Sequence, residues 1–395
     1  MQKKLEANIW KYTLLLITNK RVFVAILGAY YLTIPGVTTA WIGTLLLIGS
    51  LAGFLFEIPS GYFSDKVGHK EALIISRITA VISTAFFLFA DSIPFLVLGS
   101  IFLSVSNTFI SGTGTAFMHE TMRALKREHE YTKVIGRSSA IGFAVPIVLT
   151  ALLPFLVSIS YKIPFLVALL IDIIGLIVAF TLVRPPVTPE HIEEVGVTNF
   201  KQVMMEGHRL KFFRHALFSG IIFGLLFAVS TFRGPYQVLL GVPVIWFGVL
   251  HGTGRVLASL MLAFSGRLKV LIENEHAFYR WKMGIYTVLL LILCFTSTWW
   301  VIVSVFILIN AFQWGLTEIG KGYSLEIIKT SKFKATLLSV SAQVGELFSA
   351  FFGFVLGFAI QHSTYQRGFL VVLGIAVCLL IPLYIFIVKN AHKRV

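Results

Sequence analysis

Residues 61–70 read GYFSDKVGHK and form a short charged segment between two long apolar runs of the chain. Gly61 and Gly68 favour a sharp turn or a close approach of two helices, because glycine has no Cβ. Asp65 is suited to accept hydrogen bonds at a neighbouring helix end, where the helix dipole favours a negative charge. The segment therefore predicts a turn between two helices at a membrane surface, where its lysines remain in water.

Composition places this turn in a membrane protein. Hydrophobic residues make up 57% of the 395 residues, and charged residues make up 13%. A soluble protein could not bury so large an apolar fraction, so lipid must solvate much of the surface. The chain is therefore predicted to be an all-α integral membrane protein with twelve transmembrane helices, each able to cross about 30 Å of hydrocarbon.

The predicted spans are 20–38, 40–61, 71–91, 93–119, 134–158, 163–183, 213–240, 243–265, 280–297, 299–320, 335–360 and 366–388. Residues 5–18 form either an interfacial helix before the first span or part of that span.

The basic residues follow these spans. With both termini inside, all but four of the 33 Lys and Arg residues lie in predicted inside segments. Lys162 and Arg367 lie in outside loops, whereas Arg233 and Arg255 lie within spans. Positive charge accumulates in cytoplasmic loops of membrane proteins. The pattern predicts cytoplasmic termini. It also accounts for the net charge of +15, so that charge is not a sign of nucleic-acid binding.

Three motifs resemble those of the major facilitator superfamily of transporters. Residues 61–70 resemble the loop signature of that family. Residues 57–61 read EIPSG and resemble its large, mostly prokaryotic branch that contains many proposed exporters. Residues 334–339 read KATLLS and resemble the family's Arg-Ala-Thr-x-x-Ser opening of the eleventh helix, with Lys in place of Arg. The resemblance implies the major facilitator fold.

Two halves of nearly equal length support that fold. The long polar connection 184–212 separates six predicted spans from six, which predicts six-helix bundles at 1–183 and 213–395 and a short surface helix near 198–210. An offset of 203 residues also predicts a parallel repeat, because it superposes Asn107 on Asn310, Gly112 on Gly315 and Gly142 on Gly345. Such pseudo-symmetry predicts a binding site near the bilayer midplane between the halves, exposed alternately to each side.

Charges inside spans are costly and are therefore functional candidates. Arg233 and Arg255 are suited to a carboxylate-bearing substrate, or they pair with Glu318 and Glu346. These two acids and Asp172 are the candidates for proton coupling, because buried carboxyls can hold a proton in the working range. A structural network of ion pairs is the alternative for Arg255, Glu318 and Glu346. Pairing or snorkelling at the extracellular side is the alternative for Arg233.

The resemblance also implies a substrate cavity and a cytoplasmic gate. The cavity candidates are Tyr30, Tyr31, Asn107, Arg233, His251, Arg255, Asn310, Gln313 and Trp314. His251 is either a substrate contact or proton relay, or a histidine that packs between helices. In the gate, Asp65 is expected to meet the start of the eleventh helix near Ala335 when the protein is open outward. The further gate candidates are Glu57, Gly61, Gly68, Arg77, Glu120, Arg123 and Arg137. Ordinary charge pairing at the interface is the alternative for the gate residues.

The function implied by the resemblance is secondary transport of a small organic solute by alternating access. Proton-coupled export of a drug-like compound or of a secreted metabolite, such as a carboxylate or siderophore, is the leading hypothesis. Proton-coupled import of a metabolite or siderophore is the alternative, and a non-transporting membrane sensor is a remote one. The two arginines within spans favour an anionic substrate.

Several other classes of protein are not indicated by the sequence. A Gly-x-x-x-x-Gly-Lys-Ser/Thr nucleotide loop is absent, and His, Cys and acidic residues do not occur at metal-ligand spacing. Cys294 and Cys378 fall inside predicted spans, which argues against a disulfide framework. We therefore expect no enzyme activity, cofactor or metal. We expect a monomer in a bacterial inner membrane, with protons, lipid and a small solute as its partners and no nucleic acid.

Overall fold

The computed structural model describes residues 2–186, 200–328 and 334–391 of the chain. The predicted linker 184–212 is therefore described only at its two ends. The short helix predicted near 198–210 is present at Phe200–Arg209. The side chain of Ala335, the predicted gate partner of Asp65, lies outside the described part of the chain.

The described chain is helical. In chain order its helices are α1 (Gln2–Asn19), α2 (Leu27–Tyr31), α3 (Thr39–Val67), α4 (His69–Leu88), α5 (Ile93–Ile110), α6 (Thr113–Ala124), α7 (Tyr131–Leu152), α8 (Lys162–Thr181), α9 (Phe200–Arg209), α10 (Phe212–Thr231), α11 (Arg233–Leu239), α12 (Phe247–Ala263), α13 (Ser265–Ile272), α14 (Glu275–Phe295), α15 (Trp299–Gly315), α16 (Thr317–Ile328), α17 (Lys334–Gln361) and α18 (Tyr365–Ala391). Short 3₁₀ helices occur at Glu128–Glu130, Leu153–Ser158 and Val244–Trp246. Among the described residues, 11 helical segments are long and apolar enough to cross a membrane. They correspond to the second to twelfth predicted spans.

The prediction of a continuous first span at 20–38 is wrong. The continuous helix is α1, which ends at Asn19, and turns separate it from the five-residue helix α2. One face of α1 is buried, and it consists of Leu5, Asn8, Tyr12, Leu15 and Thr18. This spacing of three and four residues is that of an amphipathic helix. α1 packs against α6, α7 and α8. Residues 5–18, predicted either as an interfacial helix or as part of the first span, therefore belong to the packed helices of unit 1.

The chain folds into two compact units. Unit 1 comprises Met1–Gly36, Ile48–Gly196 and Val244–Val249, and unit 2 comprises Val37–Leu47, Val197–Pro243 and Leu250–Val395. Each unit therefore includes one short segment from the other half of the sequence. In unit 2 that segment contains the first turns of α3, and in unit 1 it contains the start of α12.

The same helix pairs recur in the two units. In unit 1, α4 packs against α5 and α8, and α1 packs against α7 and α8. In unit 2, α14 packs against α15 and α18, and α10 packs against α17 and α18. The break between α5 and α6 contains Gly112, and the break between α15 and α16 follows Gly315. These are the glycines that the 203-residue offset superposes, so the packing agrees with the predicted parallel repeat.

Close packing in unit 2 depends on glycine. A Cβ added to Gly224 on α10 would lie 2.4 Å from the carbonyl carbon of Phe348 on α17. A Cβ added to Gly43, at the start of α3, would lie 2.4 Å from the carbonyl oxygen of Gly353 on α17. Helices in lipid associate through such small residues, because close contact replaces the hydrophobic driving force available in water.

A single methyl group at Gly224 tests this packing. We expect Gly224→Ala to destabilise the protein by about 1–3 kcal/mol, the usual cost of an added methylene in a packed interior. Thermal unfolding of the detergent-solubilised protein measures the effect. Gly374→Ala on α18 is the matched control, because an added Cβ there has no atom of the described residues within 4 Å. Equal unfolding temperatures for the two variants would contradict the proposed role of Gly224.

Candidate functional site

Only one residue of the segment 61–70 lies outside the helices, because α3 ends at Val67 and α4 begins at His69. Gly68 separates α3 from α4 and has a φ of +135°, a backbone conformation that glycine adopts readily. A Cβ at this position would lie 2.4 Å from Oε2 of Glu71. Arg184 Nη2 contacts Glu71 Oε1 at 2.7 Å and also donates to the carbonyl oxygen of Val67. The predicted turn role therefore applies to Gly68, whereas Gly61 lies within α3, exposed, with no described atom near an added Cβ.

A buried histidine organises the same end of unit 1. His69 Nδ1 lies 2.8 Å from Ser64 Oγ, and His69 Nε2 lies 3.2 Å from Glu120 Oε1. These contacts join α3, α4 and α6. Arg137, another gate candidate, is exposed on α7. His69 was not among the predicted site residues, although its position directly after the turn glycine is a usable sequence signal.

The remaining gate candidates are divided between surface and interior. Asp65 is exposed in the last turn of α3, and Glu57 is partly buried on the same helix. Arg123 pairs with Glu128 at 3.1 Å on the surface. Arg77 differs from the others, because it is 1% exposed and lies midway along α4.

Arg77 belongs to a buried charge network in unit 1. Asp172 on α8 accepts from Arg21 Nη1 at 2.8 Å and from Thr84 Oγ1 at 2.6 Å. Arg77 Nη2 donates to Asn19 Oδ1 at 2.5 Å, and its Cδ packs against α8 one turn from Asp172. Both arginines were assigned to inside segments from the sequence, but the structure buries Arg77 and leaves the side chain of Arg21 only 12% exposed, against Asp172. Lys and Arg counts alone could not distinguish an interfacial residue from one that folds back into the helices.

The predicted cavity residues of unit 1 do not form one cluster. Tyr30 donates from Oη to the carbonyl oxygen of Phe87 at 2.6 Å, and its ring centre lies 4.3 Å from that of Phe165. Tyr31 is buried in the same aromatic group, whereas Asn107 is exposed on α5. Because aromatic residues are abundant in this chain, the sequence alone could not show whether Tyr30 and Tyr31 pack against other helices or bind a ligand.

In unit 2 the predicted residues do come together. His251 and Arg255 are four residues apart on α12, so they share a helix face, as do Asn310 and Trp314 on α15. A Cβ added to Gly254 would lie 3.0 Å from Cβ of Asn310. This glycine therefore allows α12 to approach α15, and it brings the two faces into contact.

Arg233 completes this cluster from α11. α10 ends at Thr231 and α11 begins at Arg233, and Pro235 lacks the N–H that would continue the helix ladder back to Thr231. Arg233 is 8% exposed, and its Nη1 lies 2.7 Å from Nδ1 of His251. Asn310 Nδ2 lies 3.1 Å from the same nitrogen. We refer to Arg233, His251, Arg255, Asn310 and Trp314 as the arginine cluster.

The second arginine of the cluster contacts an aromatic ring. The guanidinium carbon of Arg255 lies 4.2 Å from the ring centre of Trp314, a cation–π contact. Neither Arg233 nor Arg255 forms an ion pair with a carboxylate of the described residues. Two buried polar atoms of α15 have no hydrogen bond in the described structure: Oδ1 of Asn310, a member of the cluster, and Nε2 of Gln313, which precedes Trp314 in the sequence.

The predicted acidic partners lie elsewhere. Glu318 is exposed and pairs with Lys321 at 2.7 Å within α16. Glu346 is partly buried on α17. Glu318 therefore pairs with a lysine and not with either arginine. The site thus offers two guanidiniums without a carboxylate partner among the described residues, polar atoms without hydrogen bonds, and an aromatic face. Such a set of groups is suited to binding a planar anion.

Removing the single carboxylate of the unit 1 network tests its structural importance. We expect Asp172→Asn to destabilise the protein by about 3–5 kcal/mol, because it leaves Arg21 buried without its partner. Glu318→Gln is the matched control, and we expect a change of at most about 1 kcal/mol for an exposed pair. Thermal unfolding in one detergent compares the two. A similarly small change in both variants would contradict the structural role of Asp172.

The chain is similar in sequence to two bacterial transport proteins. Over 241 residues the chain is 23% identical to an uncharacterised MFS-type transporter, YxaM, of Bacillus subtilis (strain 168), which covers 59% of each chain. Over 127 residues it is 29% identical to the inner membrane transport protein YajR of Escherichia coli (strain K12), covering 31% of this chain and 27% of that protein. The matched parts thus span less than two thirds of either relative.

Solved structures resemble the fold over nearly the whole chain. The nucleoside transporter NupG has a TM-score of 0.74 at 13% identity, covering 96% of this chain and 98% of that chain. A bacterial homologue of the human lysosomal transporter Spinster, in an inward-facing and unoccupied conformation, has a TM-score of 0.68 at 14% identity, covering 97% and 95%. These neighbours are transporters and not enzymes. The sequence also matches the family model of the Major Facilitator Superfamily over residues 12–325. Together with the apolar helices, this match shows that the chain is a multi-pass membrane protein of the major facilitator superfamily.

Proposed function

We propose that this secondary transporter moves a small organic anion, coupled to protons, and that Arg233 and Arg255 bind the anion. The observation that carries the proposal is the presence of two guanidiniums in unit 2 without a carboxylate partner among the described residues. An arginine at the centre of a membrane helix costs about 2.5–3.5 kcal/mol on insertion scales. A bound anion would offset that cost.

The geometry favours a planar carboxylate. A guanidinium can donate two parallel hydrogen bonds to a carboxylate, which a lysine ammonium cannot do. Trp314 offers an aromatic face beside Arg255, and Asn310 Oδ1 and Gln313 Nε2 have hydrogen-bonding capacity to spare. These features support carboxylate metabolites or siderophore-like compounds over lipophilic cations.

Several expectations from the sequence remain part of this proposal. They are twelve helices in two six-helix bundles (1–183 and 213–395), cytoplasmic termini, a bacterial inner membrane and a monomeric protein. From the sequence, export is the leading direction and import is the alternative. The direction depends on whether the proton and the anion bind together or compete. A membrane sensor would bind the same anions and show no flux in vesicles.

The gate is proposed at the turn around Gly68. Asp65 is exposed beside a turn that Arg184 and Glu71 hold in place. An exposed acid on a rigid turn can form and break contacts during a conformational cycle with little change inside unit 1. Asp65, with Glu57 and Glu120, is therefore proposed to act in gating and not in substrate binding.

Ligand-induced stabilisation tests the anion proposal. We expect benzoate and succinate to raise the unfolding temperature of the purified protein, because a ligand that binds the folded state stabilises it by about 2.7 kcal/mol at a hundredfold excess over Kd. Lipophilic cations such as tetraphenylphosphonium and uncharged nucleosides are the comparison ligands. Stabilisation by the cations alone would contradict the proposal and favour multidrug export.

Arginine variants connect that stabilisation to the cluster. We expect Arg255→Ala to abolish both the anion-induced shift and the transport of the stabilising anion, and Arg255→Lys to retain part of each. The matched control is Arg267→Ala, because Arg267 is an exposed arginine that lies over a ring, 5.6 Å from the centre of Phe264. If Arg255→Ala binds and transports like the control, Arg255 is not part of the site.

The gate makes a separate prediction. We expect Asp65→Asn to slow transport in proteoliposomes by about tenfold or more, the effect of a change of about 1.4 kcal/mol in a rate-limiting conformational step. Anion affinity, measured by the thermal shift, should remain within about twofold of the wild-type value. Unchanged turnover would exclude Asp65 from the gate, and lost affinity would indicate a role in binding.

A further inference from the structure

One nitrogen of His251 is contacted by two donors. Nδ1 lies 2.7 Å from Arg233 Nη1 and 3.1 Å from Asn310 Nδ2. A guanidinium has donors and no acceptor, so a hydrogen bond between it and Nδ1 requires Nδ1 to be unprotonated. In this structure His251 is therefore the neutral tautomer, with its proton on Nε2.

The surroundings of His251 oppose a second proton. Among the described residues, the charged groups that face it are Arg233 from α11 and Arg255 from its own helix. Asn310, from α15, is uncharged, and neither arginine pairs with a carboxylate of the described residues. A proton on Nδ1 would place two donors against each other and add a third positive charge to the cluster.

An anion bound in the cluster reverses both effects. It would compete with His251 Nδ1 for the Arg233 guanidinium, which prefers a charged acceptor to a neutral one. With that bond released, Nδ1 could accept a proton from a hydronium ion. The Nδ1–H bond forms as one O–H bond of hydronium breaks and leaves water, and the imidazolium and the anion then compensate each other's charge.

We propose that His251 is the proton-coupling residue of this transporter, and that the anion and one proton occupy the arginine cluster together. This inference rests on the proposed anion site. It assigns coupling to a histidine in contact with the substrate-binding arginine, and not to Glu318, Glu346 or Asp172. Because coupling between two ligands is reciprocal, protonation of His251 strengthens anion binding by the same factor as the anion strengthens protonation.

Joint binding has a consequence for direction. A proton and an anion that stabilise each other on the protein cross the membrane in the same direction, whereas antiport requires competition between them. Under an inward proton gradient, co-movement takes up the anion. The geometry of His251 therefore favours the import alternative over export.

Calorimetric titration of the purified wild-type protein provides the test. Benzoate and succinate are titrated at several values between about pH 6 and pH 8, where a histidine charge changes. We expect affinity to rise as the pH falls, by up to about tenfold for each pH unit, the limit for one linked proton. Repeating the titration in buffers of different ionisation enthalpy should show uptake of about one proton per bound anion on the alkaline side of this range.

Two variants locate the proton. His251→Gln keeps an oxygen that can accept from Arg233 but does not titrate, so we expect it to bind the anion with little dependence on pH. His362→Gln is the matched control, because His362 is exposed and its Nδ1 contacts the carbonyl oxygen of Phe358 on its own helix. The control should keep the wild-type pH profile and the wild-type proton uptake.

The outcomes separate this inference from the proposed function. Anion binding by the wild type with no pH dependence and no proton uptake overturns the role of His251 and leaves the anion site in place. A His251→Gln variant that retains the wild-type pH profile also overturns the role of His251 and leaves the anion site in place. If neither anion binds and tetraphenylphosphonium does, the proposed function fails, and this inference fails with it. The wild-type titrations decide the matter even if His251→Gln does not fold.

Discussion

In a protein surrounded by lipid, a charged side chain in the interior is stabilised by other groups of the same protein. The arrangement of both units follows from this constraint. Lipid cannot hydrogen-bond such a charge, so neighbouring helices or a water-filled cavity must supply its hydrogen bonds. The two units meet this requirement in different ways. Unit 1 places a carboxylate, Asp172, between Arg21 and the hydroxyl of Thr84. Unit 2 places a neutral imidazole, His251, against Arg233.

This difference separates a structural network from a candidate binding site. In unit 1 the strongest negative group is already engaged by two donors within the protein, so an external anion would have to displace Asp172. In unit 2 the acceptor is an uncharged nitrogen that binds a guanidinium less strongly than an anion would. Similar helix pairs thus hold one charge cluster in which a carboxylate pairs with one of two arginines, and one cluster in which the acceptor facing Arg233 is neutral. The helix pairs recur in the two units while the side-chain environments differ, because Asn107 is exposed and Asn310, at the corresponding position of the predicted repeat, is buried.

Close helix contacts make this arrangement possible. Gly254 lets α12 approach α15, and Gly224 lets α10 approach α17. Without a Cβ, the backbones come near enough for short side chains such as Asn310 to reach across to a neighbouring helix. Pro235 ends the helix ladder beside Arg233, so the arginine lies at a helix junction and not on a regular helix face. Glycine and proline therefore determine where the charged groups meet, although they carry no charge themselves.

Much of the molecule was predictable from the sequence, because hydrophobic length and family motifs are local properties of the chain. Apolar runs located eleven spans, residues 61–70 indicated the family, and the depth of Arg233 and Arg255 within spans identified two members of the cluster. The first span was misplaced, because the polar face of α1 lowers its mean hydropathy even though its other face is buried. Spacing along a helix also indicated that His251 and Arg255 share a face.

Only the tertiary structure decided which groups are neighbours. The sequence offered Glu318 and Glu346 as partners of the arginines, and Arg77 as a gate residue. Folding instead paired Glu318 with Lys321, buried Arg77 beside Asn19, and set His251 against Arg233. The physical reason is that hydropathy and spacing report how deep a residue lies and which face of a helix it occupies. The rotation and approach of neighbouring helices, which determine contacts between residues far apart in the chain, result from packing over the whole unit.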